Sequence, residues 1–101
     1  MESKNTTREK KTTYSEKLLE KALVRKFKDM GGLSIKLLSN HCVGLPDRLC
    51  LYPDGRSLFV ELKTTGKKPR KIQALMHDKL RSLGQKVIVI DTLEQITDLE
   101  K

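Results

Sequence analysis

Pro46-Asp47 is followed, after thirteen residues, by Glu61-Leu62-Lys63. Paired carboxylates hold a hard divalent cation, and oxygen ligands of this kind suit Mg²⁺ or Mn²⁺. A lysine beside them serves an attacking water or the phosphate that the water attacks. The residue types therefore point to metal-assisted hydrolysis of a phosphodiester, provided that folding brings Asp47 to Glu61.

A hairpin must do this. Arg48 to Tyr52 and Ser57 to Lys63 read as strands around Pro53-Asp54-Gly55. Alternate strand residues share a face, so Phe59, Glu61 and Lys63 point one way, and Leu58, Val60 and Leu62 the other. A two-residue loop at Asp54-Gly55 would pair Tyr52 with Ser57 and put Asp47 opposite Leu62. A three-residue loop pairs Tyr52 with Arg56 and Asp47 with Glu61. Pro53 and Asp54 fit a type I turn, and Gly55 fits the left-handed residue after it, so the longer loop is expected. A slip of one residue would take the site apart. Once adjacent, the two carboxylates repel unless a cation lies between them. The backbone carbonyl of Leu62 could supply a further oxygen.

The rest of the chain builds a frame for that hairpin. Residues 1–13 lack apolar periodicity and are expected to form a flexible basic tail, leaving 14–101 as a single domain. Thr13 and Glu16 have capping-box spacing, so a helix is expected to start near Thr13. Leu19, Ala22, Leu23, Phe27 and Met30 give it an apolar stripe, and Gly31-Gly32 stops it. Leu33 to Leu38 reads as a strand, and Ser39 to Pro46 as a loop. After the hairpin and a basic loop, a second helix carries Ile72, Leu75, Met76, Leu80 and Leu83 on one face. That stripe is expected to be core. Val87 to Ile90 reads as a covered strand, and Thr92 with Gln95 can cap a last short helix. The expected class is α/β, a mixed β-sheet flanked by helices in the order α-β-β-β-α-β-α.

Twenty-one Lys and Arg against thirteen Asp and Glu leave a net charge of +8, which favours a polyanionic partner. With no Trp and few aromatic residues, a base-stacking surface for single strands is not expected, so contact should fall on phosphates. No apolar run spans a bilayer and no signal peptide is read at the start. Cys42 and Cys50 have no framework spacing and are expected to be reduced, intracellular thiols. Together with His41 and His77 they match no zinc spacing.

The motifs as a set resemble the virus-type replication-repair nuclease (VRR-NUC) domain of the PD-(D/E)XK superfamily. The resemblance rests on Glu20, Gly31-Gly32, Gly44-Leu45-Pro46-Asp47-Arg48, Val60-Glu61-Leu62-Lys63, Gly66-Lys67-Lys68-Pro69, Gln73 and Gly84. It implies a restriction-endonuclease-like core and Mg²⁺- or Mn²⁺-dependent cleavage of DNA. It also implies that Asp47 and Glu61 are metal ligands, Lys63 is the catalytic lysine, and Glu20 completes the site. Glu16, one turn earlier, is the alternative to Glu20. Gln73 matches a polar residue beside the site. Small members of the family look like Holliday-junction resolvases acting as homodimers, so a four-way junction is the expected substrate. The alternatives are a nicking or flap-type repair nuclease and a non-catalytic DNA-binding module. By analogy, the source is a phage or bacterium, with the protein in the cytoplasm or nucleoid.

The ordinary reading of each charge is a solvated surface group. Lys67, Lys68, Arg70 and Lys71 follow the catalytic strand directly and are expected to touch DNA phosphates, with Lys36 and Gln73 beside them. Lys17, Lys21, Arg25 and Lys28 form a basic stripe on the first helix, for which simple solvation is expected.

Overall fold

The computed structural model describes residues 12–100. Most of the expected tail lies outside the described residues. The first helix, α1 (Glu16–Asp29), begins two residues later than the Thr13 spacing suggests. Ser15 is its cap instead, accepting the Leu18 amide at 3.2 Å. Strands β1 (Leu33–Lys36), β2 (Arg48–Leu51) and β3 (Ser57–Leu62) follow. Then come α2 (Lys71–Ser82), β4 (Val87–Ile90) and α3 (Leu93–Thr97). The element order is the expected one, and no helix among the described residues is long and apolar enough to cross a membrane.

The four strands form one sheet in the order β1-β2-β3-β4. The first three are antiparallel neighbours, and β4 runs parallel to β3 after the α2 crossover. α1 lays Leu19, Leu23 and Phe27 on one sheet face, against Cys50, Leu58, Val60 and Leu62. Fully burying each of those three helix side chains stabilises the fold by about 1.5–3 kcal/mol. Phe27 meets Tyr52 edge-on, with ring centroids 4.9 Å apart.

The hairpin takes the three-residue loop. Tyr52 and Arg56 are bonded through N–H and carbonyl at 2.9 Å, and the Gly55 amide donates to the Tyr52 carbonyl. Gly55 has φ +96°, a left-handed conformation that disfavours other side chains. The ladder then pairs Leu51 with Ser57 and Arg48 with Val60. One further step along it sets Asp47 against Glu61.

The second helix differs from expectation. α2 turns Gln73 and His77 to the sheet, at 8 % and 2 % exposure, whereas Ile72, Leu75 and Leu83 are exposed. Leu75 is 57 % exposed. Helical periodicity identified the apolar stripe but not the side on which the sheet lies. The polar face is inward because it has a polar partner there, Glu61.

Candidate active site

Asp47 is fixed by its neighbours on both sides. Pro46 before it is fully buried. The Asp47 carbonyl accepts the Leu37 amide at 2.8 Å. Its Oδ2 accepts the Leu62 amide at 2.7 Å, across the hairpin. Gly44 sets the approach of this loop to α2. A Cβ there would lie 2.5 Å from the Ile72 carbonyl oxygen, and the backbone has φ +84°. Only glycine meets both conditions without strain.

Glu61 is almost wholly buried, at 1 % exposure, and three donors surround its carboxylate. Gln73 Nε2 donates to Oε2 at 3.1 Å. His77 Nε2 lies 3.4 Å from Oε1, where its Nε2–H tautomer donates to the ionised carboxylate. Lys63 Nζ is 3.5 Å from Oε2. Gln73 is held in turn, because its Oε1 accepts the Arg70 amide at 2.8 Å. Burial and then the Asp47 charge push the Glu61 carboxyl up to about 7, against the pull of Lys63. Burial pushes His77 down, favouring its neutral ring. Two adjoining carboxylate groups, one of them buried, are an oxygen set that fits a hard divalent cation.

Glu20 is placed differently. Its Oε2 lies 2.6 Å from Arg48 Nη1 and 3.8 Å from Lys36 Nζ. Arg48 is nearly buried and also donates to the Ser34 hydroxyl and carbonyl. The guanidinium neutralises this carboxylate, which stays at the edge of the Asp47 cleft. Glu20 and Glu16 line a cleft of about 360 Å³ with Asp47, Leu62 and Lys36. Among the described residues, no three Asp, Glu, His or Cys side chains converge as a metal cluster.

Gln73 lies beside the site, as the resemblance implies, with its side chain buried against Glu61. Lys67, Lys68, Arg70 and Lys71 are exposed on the loop and at the start of α2. His77, which fits no zinc spacing, instead meets Glu61, a contact that the sequence reading does not anticipate. The available signal was the four-residue spacing of Gln73 and His77, two polar residues on one helix face flanking the apolar stripe.

No protein-family model matches the chain. A protein of Acyrthosiphon pisum secondary endosymbiont phage 1, named "Putative nuclease p44", is 42 % identical over 74 residues. That match covers 73 % of this chain and 80 % of the phage protein. A solved VRR_NUC domain superposes with a TM-score of 0.77 at 31 % identity, covering 85 % of this chain and 95 % of that one. The fold, the order of its elements and both likenesses agree: this chain belongs to the VRR-NUC nuclease family.

Proposed function

We propose that this domain is a divalent-cation-dependent endodeoxyribonuclease, acting as a homodimer on branched DNA with the four-way junction as preferred substrate. The observation that carries the catalytic reading is the opposition of Asp47 and Glu61 across the hairpin, with Lys63 beside Glu61. A buried acid with a second carboxylate beside it costs stability unless the pair serves a cation.

Asp47, Glu61 and the Leu62 carbonyl are the residues that would hold Mg²⁺ or Mn²⁺. A cation held there supplies Lewis acidity, lowering the pKa of water and neutralising phosphate charge. Asp47 keeps its orientation through the Leu37 and Leu62 amides. Gln73 and His77 aim the Glu61 carboxylate and limit its rotation. The Lys63 ammonium orients the incoming water and stabilises negative charge as it grows on the phosphoryl oxygens. The water oxygen bonds to phosphorus as the P–O3′ bond breaks. The water's proton passes to solvent, and the departing 3′-oxygen takes up a proton. The products are a 5′-phosphate and a 3′-hydroxyl.

The exposed apolar side chains of α2 support the dimer. Ile72, Leu75 and Leu83 face outward, and exposed Val43 precedes the Gly44 contact with the same helix. Two copies would present two active sites to two strands of a junction.

A cleavage assay on a labelled immobile four-way junction tests the reading, with linear duplex and flap controls. Each is run in Mg²⁺, Mn²⁺ or EDTA, beside Lys63→Ala and Asp47→Ala. Paired symmetric nicks that require the cation and both side chains are expected. Cutting of flaps with the junction spared would keep the nuclease and remove the resolvase. Binding with no cation-dependent cutting of any substrate would leave a DNA-binding module.

A further inference from the structure

The outer face of α1 leads away from the Asp47 cleft and carries a row of four cations. Lys17, Lys21, Arg25 and Lys28 recur at steps of three and four residues and share one side of the helix. Lys17 lines the Asp47 cleft together with Lys36. Glu20 lines that cleft and also a neighbouring one of about 560 Å³, formed with Lys21, Val24, Arg25, Lys28 and Arg48. The two clefts therefore adjoin at Glu20.

The local charges do not cancel. The carboxylate of Glu20 is taken by Arg48 and Lys36. Asp29 takes Arg25 at 3.3 Å. Lys17, Lys21 and Lys28 have no ion-pair partner among the described residues. They are exposed, so their stems add little to the core.

We propose that α1 is a second phosphate track, distinct from the Lys67–Lys71 loop. Lys17, Lys21 and Lys28 hold the backbone of a DNA arm that runs from the cleaved phosphate along the helix. The inference rests on the reading of the substrate as DNA. From Lys17 to Lys28 the helix rises ~16 Å at 1.5 Å per residue. That length matches about five phosphates of one strand at ~3.4 Å of axial spacing. Cations at helical steps on a straight rod suit a regular array of phosphates, and they carry no base readout.

Two double variants remove the same charge from different places. Lys21→Gln/Lys28→Gln alters the track. Lys79→Gln/Lys86→Gln removes two exposed cations elsewhere. Binding of a short labelled duplex in EDTA is followed over a range of salt concentrations. The track variant is expected to bind more weakly, with a log K against log salt slope shallower by about 2. The other double variant is expected to keep the wild-type slope. Equal slopes for the two variants overturn the track. Wild-type protein that cuts no DNA, yet shows the track-dependent slope, removes the nuclease reading and keeps the track. Wild-type protein that cuts DNA, with no track-dependent slope, does the reverse.

Discussion

Arg48 Nη1 and Glu20 Oε2 lie 2.6 Å apart, joining the strand that follows Asp47 to the helix that covers the core. The guanidinium is nearly buried and Glu20 is its anionic partner among the described residues. Glu20→Gln keeps the shape and removes the charge. Because the pair is only partly screened, a loss of about 2 kcal/mol is expected in urea denaturation. Cleavage by the folded variant is expected to fall far less than in Glu61→Gln. Abolished cleavage at unchanged stability would make Glu20 a metal ligand rather than a partner of Arg48.

Glu61 gives the metal-free protein a pH dependence of defined sign. Burial and Asp47 push its carboxyl up to about 7. The folded state holds that proton more tightly than the unfolded chain does. The resulting stability is fully present below the ordinary carboxylate range and is lost as pH rises through about 7. In EDTA, the melting temperature is expected to decline across this interval. Glu61→Gln, neutral throughout, is expected to remove that part of the decline. Mg²⁺ is expected to restore wild-type stability on the alkaline side, where the cation replaces the proton. A wild-type melting temperature that rises over the interval, relative to Glu61→Gln, would contradict the assignment.

The hairpin register was legible in the sequence because turn chemistry and strand alternation both bear on it. Pro53, Asp54 and Gly55 select the loop length, and that length determines what faces Asp47. Two other features were not legible, for one shared reason. The pairing of Glu20 with Arg48, far away in sequence, could not be read from the helix alone. The contacts of Gln73 and His77 with Glu61 were equally hidden, because nothing local indicates a buried acid on the facing strand. A polar residue's partner is a long-range property, and a helical pattern reports only which residues share a face.

His77 is expected to act through Glu61. His77→Leu fills the space but cannot donate, leaving Oε1 without that contact. Loss of a hydrogen bond that orients a ligating carboxylate weakens metal binding by about 10–100-fold. Mn²⁺ titration followed by electron paramagnetic resonance measures the affinity directly. His77→Gln, which can still donate, is expected to recover part of it. Unchanged Mn²⁺ affinity in a folded His77→Leu protein would reduce His77 to a packing residue.

The outward stripe on α2 makes the dimer testable independently of cleavage. Ile72 and Leu75 lie on the exposed side of the helix, away from Glu61, so charges there leave the site intact. A stable interface buries more than about 1,000 Å² in total, and two glutamates at its centre would meet their own copies across a two-fold axis. Ile72→Glu/Leu75→Glu is therefore expected to sediment as a monomer where the wild type sediments as a dimer. The melting temperature is expected to stay close to that of the wild-type monomer at high dilution. On a four-way junction, paired nicks should give way to single, uncoordinated ones, since each site then arrives alone. A wild type that is monomeric at every concentration would remove the dimer while leaving the chemistry of Asp47, Glu61 and Lys63 untouched.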